Sequence, residues 1–428
     1  MILLALYGIA IVALAGEHDA PELAIVPLVT AEIPSGPPQA VRLTPGADIP
    51  AAIHALTAGS TLTLAPGTYQ GPVHIDRQLT LVAEPGAILA GAGTGTVLII
   101  TANDVTVQGL AVQGGGSDAT QGDAGVLVAG QRVHLERLEV KDVLTGIDLR
   151  AADDGAVIDC RVIGSAERAV SQRGDGLRLW ESDRNRIEGN DLTNVRDLVV
   201  WYSEGNTLTH NHVTHSRYGS HFMHASHNVV QGNEYSDDVV GVFVMYSDDL
   251  LLTDNVVARA NGAAGMGFGF KESDEITVRG NRLLGDTTGI YLDHTPHNIG
   301  GLALFEGNTL AYNHAGLRIH GSESGAVFRG NRFHENSTQV SVDGRADAEG
   351  TLFDGNTWTD YTGYDLDGDG VGDLAYSPRV LSSTLTQRRP AMAFFSNTAA
   401  AGLLDLLAEA FPMFAPRPVL TDAHPVLG

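Results

Sequence analysis

A short hydrophobic strand closed by an asparagine recurs eight times between residues 186 and 356, and no other feature limits the fold as much. It reads RIEGN, TLTHN, VVQGN, LLTDN, TVRGN, LFEGN, VFRGN and LFDGN, ending at Asn190, Asn211, Asn233, Asn255, Asn281, Asn308, Asn331 and Asn356. Successive steps are 21, 22, 22, 26, 27, 23 and 25 residues. A second column, mostly glycine, keeps phase with it at Gly176, Asp197, Gly219, Gly241, Gly267, Gly289 and Gly316. Helical repeats need runs of roughly 10 to 15 helix-forming residues, which these coils lack. The consensus of leucine-rich repeats is absent as well. Short strands joined by turns at this period predict an all-β fold, a right-handed parallel β-helix whose rungs stack about 4.8 Å apart. The recurrent asparagines are expected at turns, in the left-handed conformation that Asn tolerates, with their amides stacked in a ladder.

The phase of the glycine column assigns faces. With that column as zero, positions +1 and +3 are Leu177/Leu179, Leu198/Val200, Ser220/Phe222, Val242/Val244, Phe268/Phe270, Ile290/Leu292 and Leu317/Ile319, apolar almost throughout. They line the interior, so positions +2 and +4 point outward. There stand Arg178/Trp180, Val199/Trp201, His221/Met223, Phe243/Met245, Gly269/Lys271, Tyr291/Asp293 and Arg318/His320. Trp180, Trp201, Met223 and Met245 thus form an outward column on consecutive rungs, with Phe243 beside it. An exposed apolar ladder marks a contact or ligand surface unless another segment covers it. His221, Met223 and Met245 combine imidazole with thioethers, a donor set suited to Cu(I) and poor for Mg²⁺ or Ca²⁺. Six of the sixteen histidines (His210, His212, His215, His221, His224 and His227) fall in this segment.

Acidic residues outnumber Lys plus Arg by 51 to 26, and the net charge of −25 argues against nucleic acid or an anionic membrane as partner. The single cysteine, Cys160, excludes an intrachain disulfide and reads as a small core residue. Residues 1–15 are almost wholly apolar and end in a small-x-small site, which predicts a signal-peptide-like segment and export. Residues 16–45 read as a linker, 46–360 as the β-helix with a cap helix at Ile49–Leu56, 361–380 as an Asp-rich loop, and 381–428 as a C-terminal extension.

Several strings carry a family resemblance: RGDGLRLWES (173–182), RDLVVWYSEGN (196–206), RYGSHFMHASHN (217–228), GVFVMYSDD (241–249), GFGFKESDEITVRGN (267–281), GIYLDHTP (289–296) and YDLDGDGVGDLAYSP (364–378). The chain resembles the NosD family from about residue 45 onward. The resemblance implies a periplasmic, non-enzymatic maturation factor that delivers or chaperones copper, with sulfur as an alternative cargo, for the copper centres of nitrous oxide reductase. It implies as partners an ABC transporter ATPase and permease, a copper chaperone and the reductase itself, with contact to the membrane only through the permease. The ligands His221, Met223 and Met245 come from face geometry together with these strings.

Two further features stand apart. Asp365, Asp367, Asp369 and Asp373 occupy i, i+2, i+4 and i+8 around Gly370, the opening of an EF-hand-type calcium loop, although Tyr376 stands where a bidentate acid is expected. Residues 399–411 read as a short helix whose Leu403, Leu404 and Leu407 share a face, to cap the solenoid or dock on a membrane partner. The rival reading of the whole chain is a polysaccharide lyase, hydrolase or epimerase, for which Asp175, Glu181, Lys271, Glu272, Asp293 and His294 are the acid–base candidates. No tight catalytic string supports it.

Overall fold

The computed structural model describes residues 34–321, 325–343, 350–378 and 418–427, with 348, 398, 400, 403, 404, 406, 407 and 411 beside them. The signal-like segment 1–15 and most of the C-terminal extension lie outside these residues. The described chain winds as a parallel β-helix with three sheets. The first runs from Ala40–Leu43 to Leu352–Asp354, the second from Gly67–Gln70 to Thr357–Trp358, and the third from Val73–Ile75 to Thr338–Val342. Within each sheet every strand pairs in parallel with its counterparts one coil before and after, the first and last strands on one side only. The first strand lies inside the stretch read as linker and pairs with Ser60–Leu64.

Alternation builds the core. The +1 and +3 residues of the third sheet are buried throughout, joined by the central residues of the short strands in the other two. Toward the C-terminal end this core becomes aromatic: Phe305 stacks on Phe328 at 4.4 Å and Phe333 on Trp358 at 4.2 Å. Each such ring contributes about 1.5–3 kcal/mol by leaving water. Ser220, the polar exception, pairs with the Tyr235 hydroxyl at 2.9 Å. The cap helix spans Ile49–Ala55, with Asp48 accepting the Ala51 N–H and Pro50 in the first turn. Its buried Ile49 and Ile53 join the core near the first strand of the third sheet.

The asparagines form the expected ladder, but not in the expected conformation. The left-handed residue is the one before each Asn, namely Gly189, His210, Gly232, Asp254, Gly280, Gly307, Gly330 and Gly355. Glycine prevails there because it takes positive φ without a Cβ penalty. The asparagines themselves are buried. Each donates its backbone N–H and side-chain amide to Oδ1 of the next, as Asn190 does to Asn211 at 3.0 and 2.9 Å and Asn281 to Asn308 at 2.9 Å for both. Cys160 precedes the ladder and donates its N–H to Asn190. Burial pushes its thiol up to about 11, consistent with a core residue rather than a nucleophile.

A parallel column lies at the turn from the second to the third sheet, where Asp238, Asp286, Asn313 and Asn336 accept backbone N–H groups from the preceding coil. Asp238 and Asp286 are buried, and Oδ2 of each lacks a partner among the described residues. Burial raises the Asp238 carboxyl to about 8 and that of Asp286 well above its ordinary value. The folded chain therefore holds protons that the unfolded chain releases above about pH 4, so both groups cost stability as pH rises from there, Asp238 up to about pH 8. Asp238→Asn is expected to raise Tm at pH 7.5 by several degrees and to leave it nearly unchanged at pH 4, in thermal melts at both values.

Candidate metal site on the third sheet

The outward residues of the third sheet come into register as the repeat predicts. Trp180, Trp201, Met223 and Met245 are successive strand partners, followed by Lys271 and Asp293. The column is less open than an exposed ladder, since all four apolar members are half-buried. His221 departs furthest from expectation. It points outward by parity yet is only 6 % exposed.

Three aromatic rings cover it, beside a register shift in the pairing with the preceding coil. Between Asp197 and Val199 the pairing slips, so that Tyr218 rather than Gly219 lies opposite Asp197. The imidazole of His221 sits among three rings: Tyr218 at 4.7 Å, Trp201 at 5.5 Å and Phe243 at 6.2 Å between centroids. Phe243 in turn stacks on Tyr218 and, with the Met266 side chain, lies over Gly269, where a Cβ would collide with the ring. Neither ring nitrogen of His221 has a hydrogen-bond partner among the described residues, and neither does the Trp201 indole nitrogen. An unpaired buried polar group is costly, and both nitrogens of one imidazole left so is rare. Burial lowers the His221 ring to about 4, against 6.5 in water, so it is neutral at any ordinary pH and one nitrogen carries a free lone pair. A neutral imidazole beside two thioethers can coordinate a soft monovalent cation.

The other histidines scatter around the coil. His210 and His215 stand at turns flanking the second sheet, His212 on that sheet's outer surface, and His227 at the turn after the third sheet, near Glu204 and Asp249. Only His224 stays beside the methionines, stacked between Tyr202 and Tyr246 at 5.2 Å from each. The His-rich look of the segment is therefore mostly an effect of chain order.

The sequence model of the family described as "Periplasmic copper-binding protein (NosD)" matches residues 154–363, which include all of these residues. A relative from Stutzerimonas stutzeri, named "Probable ABC transporter binding protein NosD", is 31% identical over 391 residues, covering 85% of this chain and 86% of its own. One of the same name from Pseudomonas aeruginosa is 28% identical over 387 residues, covering 85% and 87%. The chain belongs to the NosD family. Two solved structures similar in fold are enzymes. The A-module of the Azotobacter vinelandii mannuronan C-5 epimerase AlgE6 has a TM-score of 0.53 at 14% identity, covering 72% of this chain and 92% of its own. The catalytic unit of a GH87 α-1,3-glucanase from Streptomyces thermodiastaticus has 0.55 at 15%, covering 72% and 64%. At such identities the likeness concerns the β-helix alone.

The acid–base candidates of the rival reading divide in this NosD-family chain. Asp175 is buried and clamped by Arg196 through two bonds of 2.9 Å, within a run of alternating charges that includes Asp148–Arg178 and Asp197–Arg217. Burial first, with Arg196 opposing it, leaves its carboxyl raised to about 6. Both its oxygens are committed to Arg196, which makes it a structural group. Glu181 and Glu272 occupy the left-handed turn position after the strand. Lys271, Asp293 and His294 do meet, at 4.0 Å from Lys271 to Asp293 and 2.8 Å from His294 Nδ1 to Asp293.

In the Asp-rich loop, Asp365, Asp367 and Asp369 bring carboxylate oxygens within 4.8 Å of one another. Asp365 accepts from Gly368 and Gly370 N–H groups and Asp369 from Val371, while Asp373 accepts from Leu366 rather than joining the cluster. The loop is held by the chain end: Val371 bridges Val426 and Tyr376 bridges Asp422. Leu403, Leu404 and Leu407 are helical and exposed, as is Leu406 between them.

Proposed function

We propose that this NosD-family protein holds Cu(I) as cargo at His221, Met223 and Met245, in the periplasm, for assembly of the copper centres of nitrous oxide reductase. The observation that carries the reading is a buried histidine with both ring nitrogens unpaired, set beside two register-matched methionines. The family description as copper-binding supports it. The ion would come from a copper chaperone and pass to the reductase, and the ABC transporter ATPase and permease would be the working partners. The exposed Leu403, Leu404 and Leu407 suit docking on the permease. Trp180 and Phe243, half-buried around the site, would serve more as its walls than as a partner surface.

The pH profile of binding tests the ligand. A neutral imidazole need not shed a proton to bind metal, and burial keeps His221 neutral down to about 4. Anaerobic Cu(I) affinity, measured against a calibrated chelator, is expected to stay flat from about pH 7.5 to pH 5. A decline beginning near 6.5, the value of an exposed histidine, would assign binding to another residue. The same preference for the neutral ring means that His221 costs the fold stability as pH falls from 6.5 toward 4.

A calcium role for Asp365, Asp367 and Asp369 is proposed separately, on the convergence of their carboxylates. Millimolar Ca²⁺ is expected to raise Tm, and Asp367→Ala to remove the increase. An unchanged melt in wild type would dismiss the site. The rival enzyme reading predicts turnover of alginate or pectin that is lost in Asp293→Asn.

A further inference from the structure

We infer that Trp201 belongs to the cargo site, its indole closing over the Cu(I) ion as a cap where water or an oxidant would otherwise reach it. The inference rests on the copper reading above. Trp201, Met223 and Met245 are consecutive members of one outward column, so their side chains rise about 4.8 Å apart. His221 lies two residues before Met223 on the same strand, on the same face, and diagonally across from Trp201. An ion shared by His221 and the two thioethers thus has Met245 on one flank and Trp201 on the other.

Three observations hold the indole there. Its ring meets His221 edge to face at 5.5 Å and 85°. Trp180, one rung earlier, packs edge to face against its other side at 5.8 Å, which keeps the ring from swinging away. Its Nε1 is buried with no acceptor among the described residues, so no hydrogen bond accounts for the position. A buried Trp usually finds an acceptor for that group. What the ring offers this place is its π-face, and tryptophan is the best aromatic partner for a cation removed from water. Cu(I) is satisfied by few soft donors. Imidazole, two thioethers and an indole face make a complete surrounding without a solvent ligand.

The test is an anaerobic Cu(I) titration of the full chain read two ways, by competition with a colorimetric chelator and by tryptophan fluorescence. The protein has three tryptophans, Trp180, Trp201 and Trp358. Wild type should bind Cu(I) and lose the part of its emission that comes from Trp201. Trp201→Phe should bind at the same stoichiometry without that quenching. Trp201→Ala should release the ion to chelator roughly ten-fold faster and lose it sooner to air. If Trp201→Ala does not fold, the quenching comparison with Trp201→Phe still decides. Quenching that persists in Trp201→Phe, or unchanged release from a folded Trp201→Ala, overturns the cap while leaving the copper site standing. Absence of Cu(I) binding in wild type overturns the copper reading, and the cap with it.

Discussion

Exchange of Met223 and Met245 together for leucine is expected to lower Cu(I) affinity by at least about 100-fold while leaving the coil folded. Loss of a mere outer-sphere partner already costs a metal site about 10- to 100-fold, so removal of two ligating sulfurs should exceed that. Leucine keeps nearly the volume and apolarity of methionine, and such swaps cost under about 1.5 kcal/mol even in a core. Both side chains are only half-buried, on the outside of the third sheet. Stability and binding therefore separate. Far-UV circular dichroism and Tm should stay close to wild type, while chelator competition shows the loss. His221→Phe should reproduce the binding defect, because phenylalanine fits among Tyr218, Trp201 and Phe243 and offers no lone pair. Full affinity in a folded Met223→Leu/Met245→Leu protein would place the copper elsewhere.

That site was only half legible in the sequence, and the reason is geometric. The phase of the glycine column puts His221, Met223 and Met245 on one face, because side-chain direction in a strand follows from parity alone. Parity says nothing about cover. His221 is buried because the rings of Tyr218, Trp201 and Phe243 close around it, and parity does not say which neighbouring side chains are large enough to do so. Density of histidine along the chain misled in the same way. In a coil of about 22 residues, neighbours in sequence pass around all three sheets, so His212 lies on the second sheet while His221 lies on the third. The asparagine ladder was legible as a ladder, but the strained backbone falls on the residue before each Asn. That offset follows from hydrogen bonding. The buried amide must extend along the solenoid axis to meet the next one, leaving the sharp turn to its glycine neighbour. Nothing in the repeat announced how the ladder stops, because its last member, Asp422, is 66 residues beyond Asn356.

The ladder carries the largest expected effect on stability. Asn281→Ala is expected to destabilise the protein by roughly 3–5 kcal/mol. It leaves the Asn255 N–H and side-chain amide without Oδ1 of Asn281, and the Leu252 carbonyl without its donor, all in the dry interior. Each orphaned group costs about 1–3 kcal/mol. A solenoid is coupled chiefly between neighbouring coils, so the damage should split one denaturation transition into two, with hydrogen exchange fastest at the coils on either side of 281. The end of the ladder makes a second comparison. Each bond between ladder members runs from one amide to Oδ1 of the next, so the final group there need only accept. Asp422 does so, taking the Asn356 N–H at 3.0 Å, its side-chain amide at 2.9 Å, the Trp358 indole N–H at 3.1 Å and the Gly355 N–H at 3.2 Å. Even with its oxygen placed for the other three donors, Asn at 422 would turn its NH2 toward the Gly355 N–H, so the near-isosteric Asp422→Asn should loosen the last coil and the Asp-rich loop bridged to it at Tyr376. The same exchange at Asp238, in a column where asparagine already serves at Asn313 and Asn336, is expected to stabilise. Opposite signs for one substitution at two buried carboxylates would show that the direction of each ladder's donors, rather than burial as such, decides which residue its end requires. A neutral result at Asp422 by denaturant titration would refute that account.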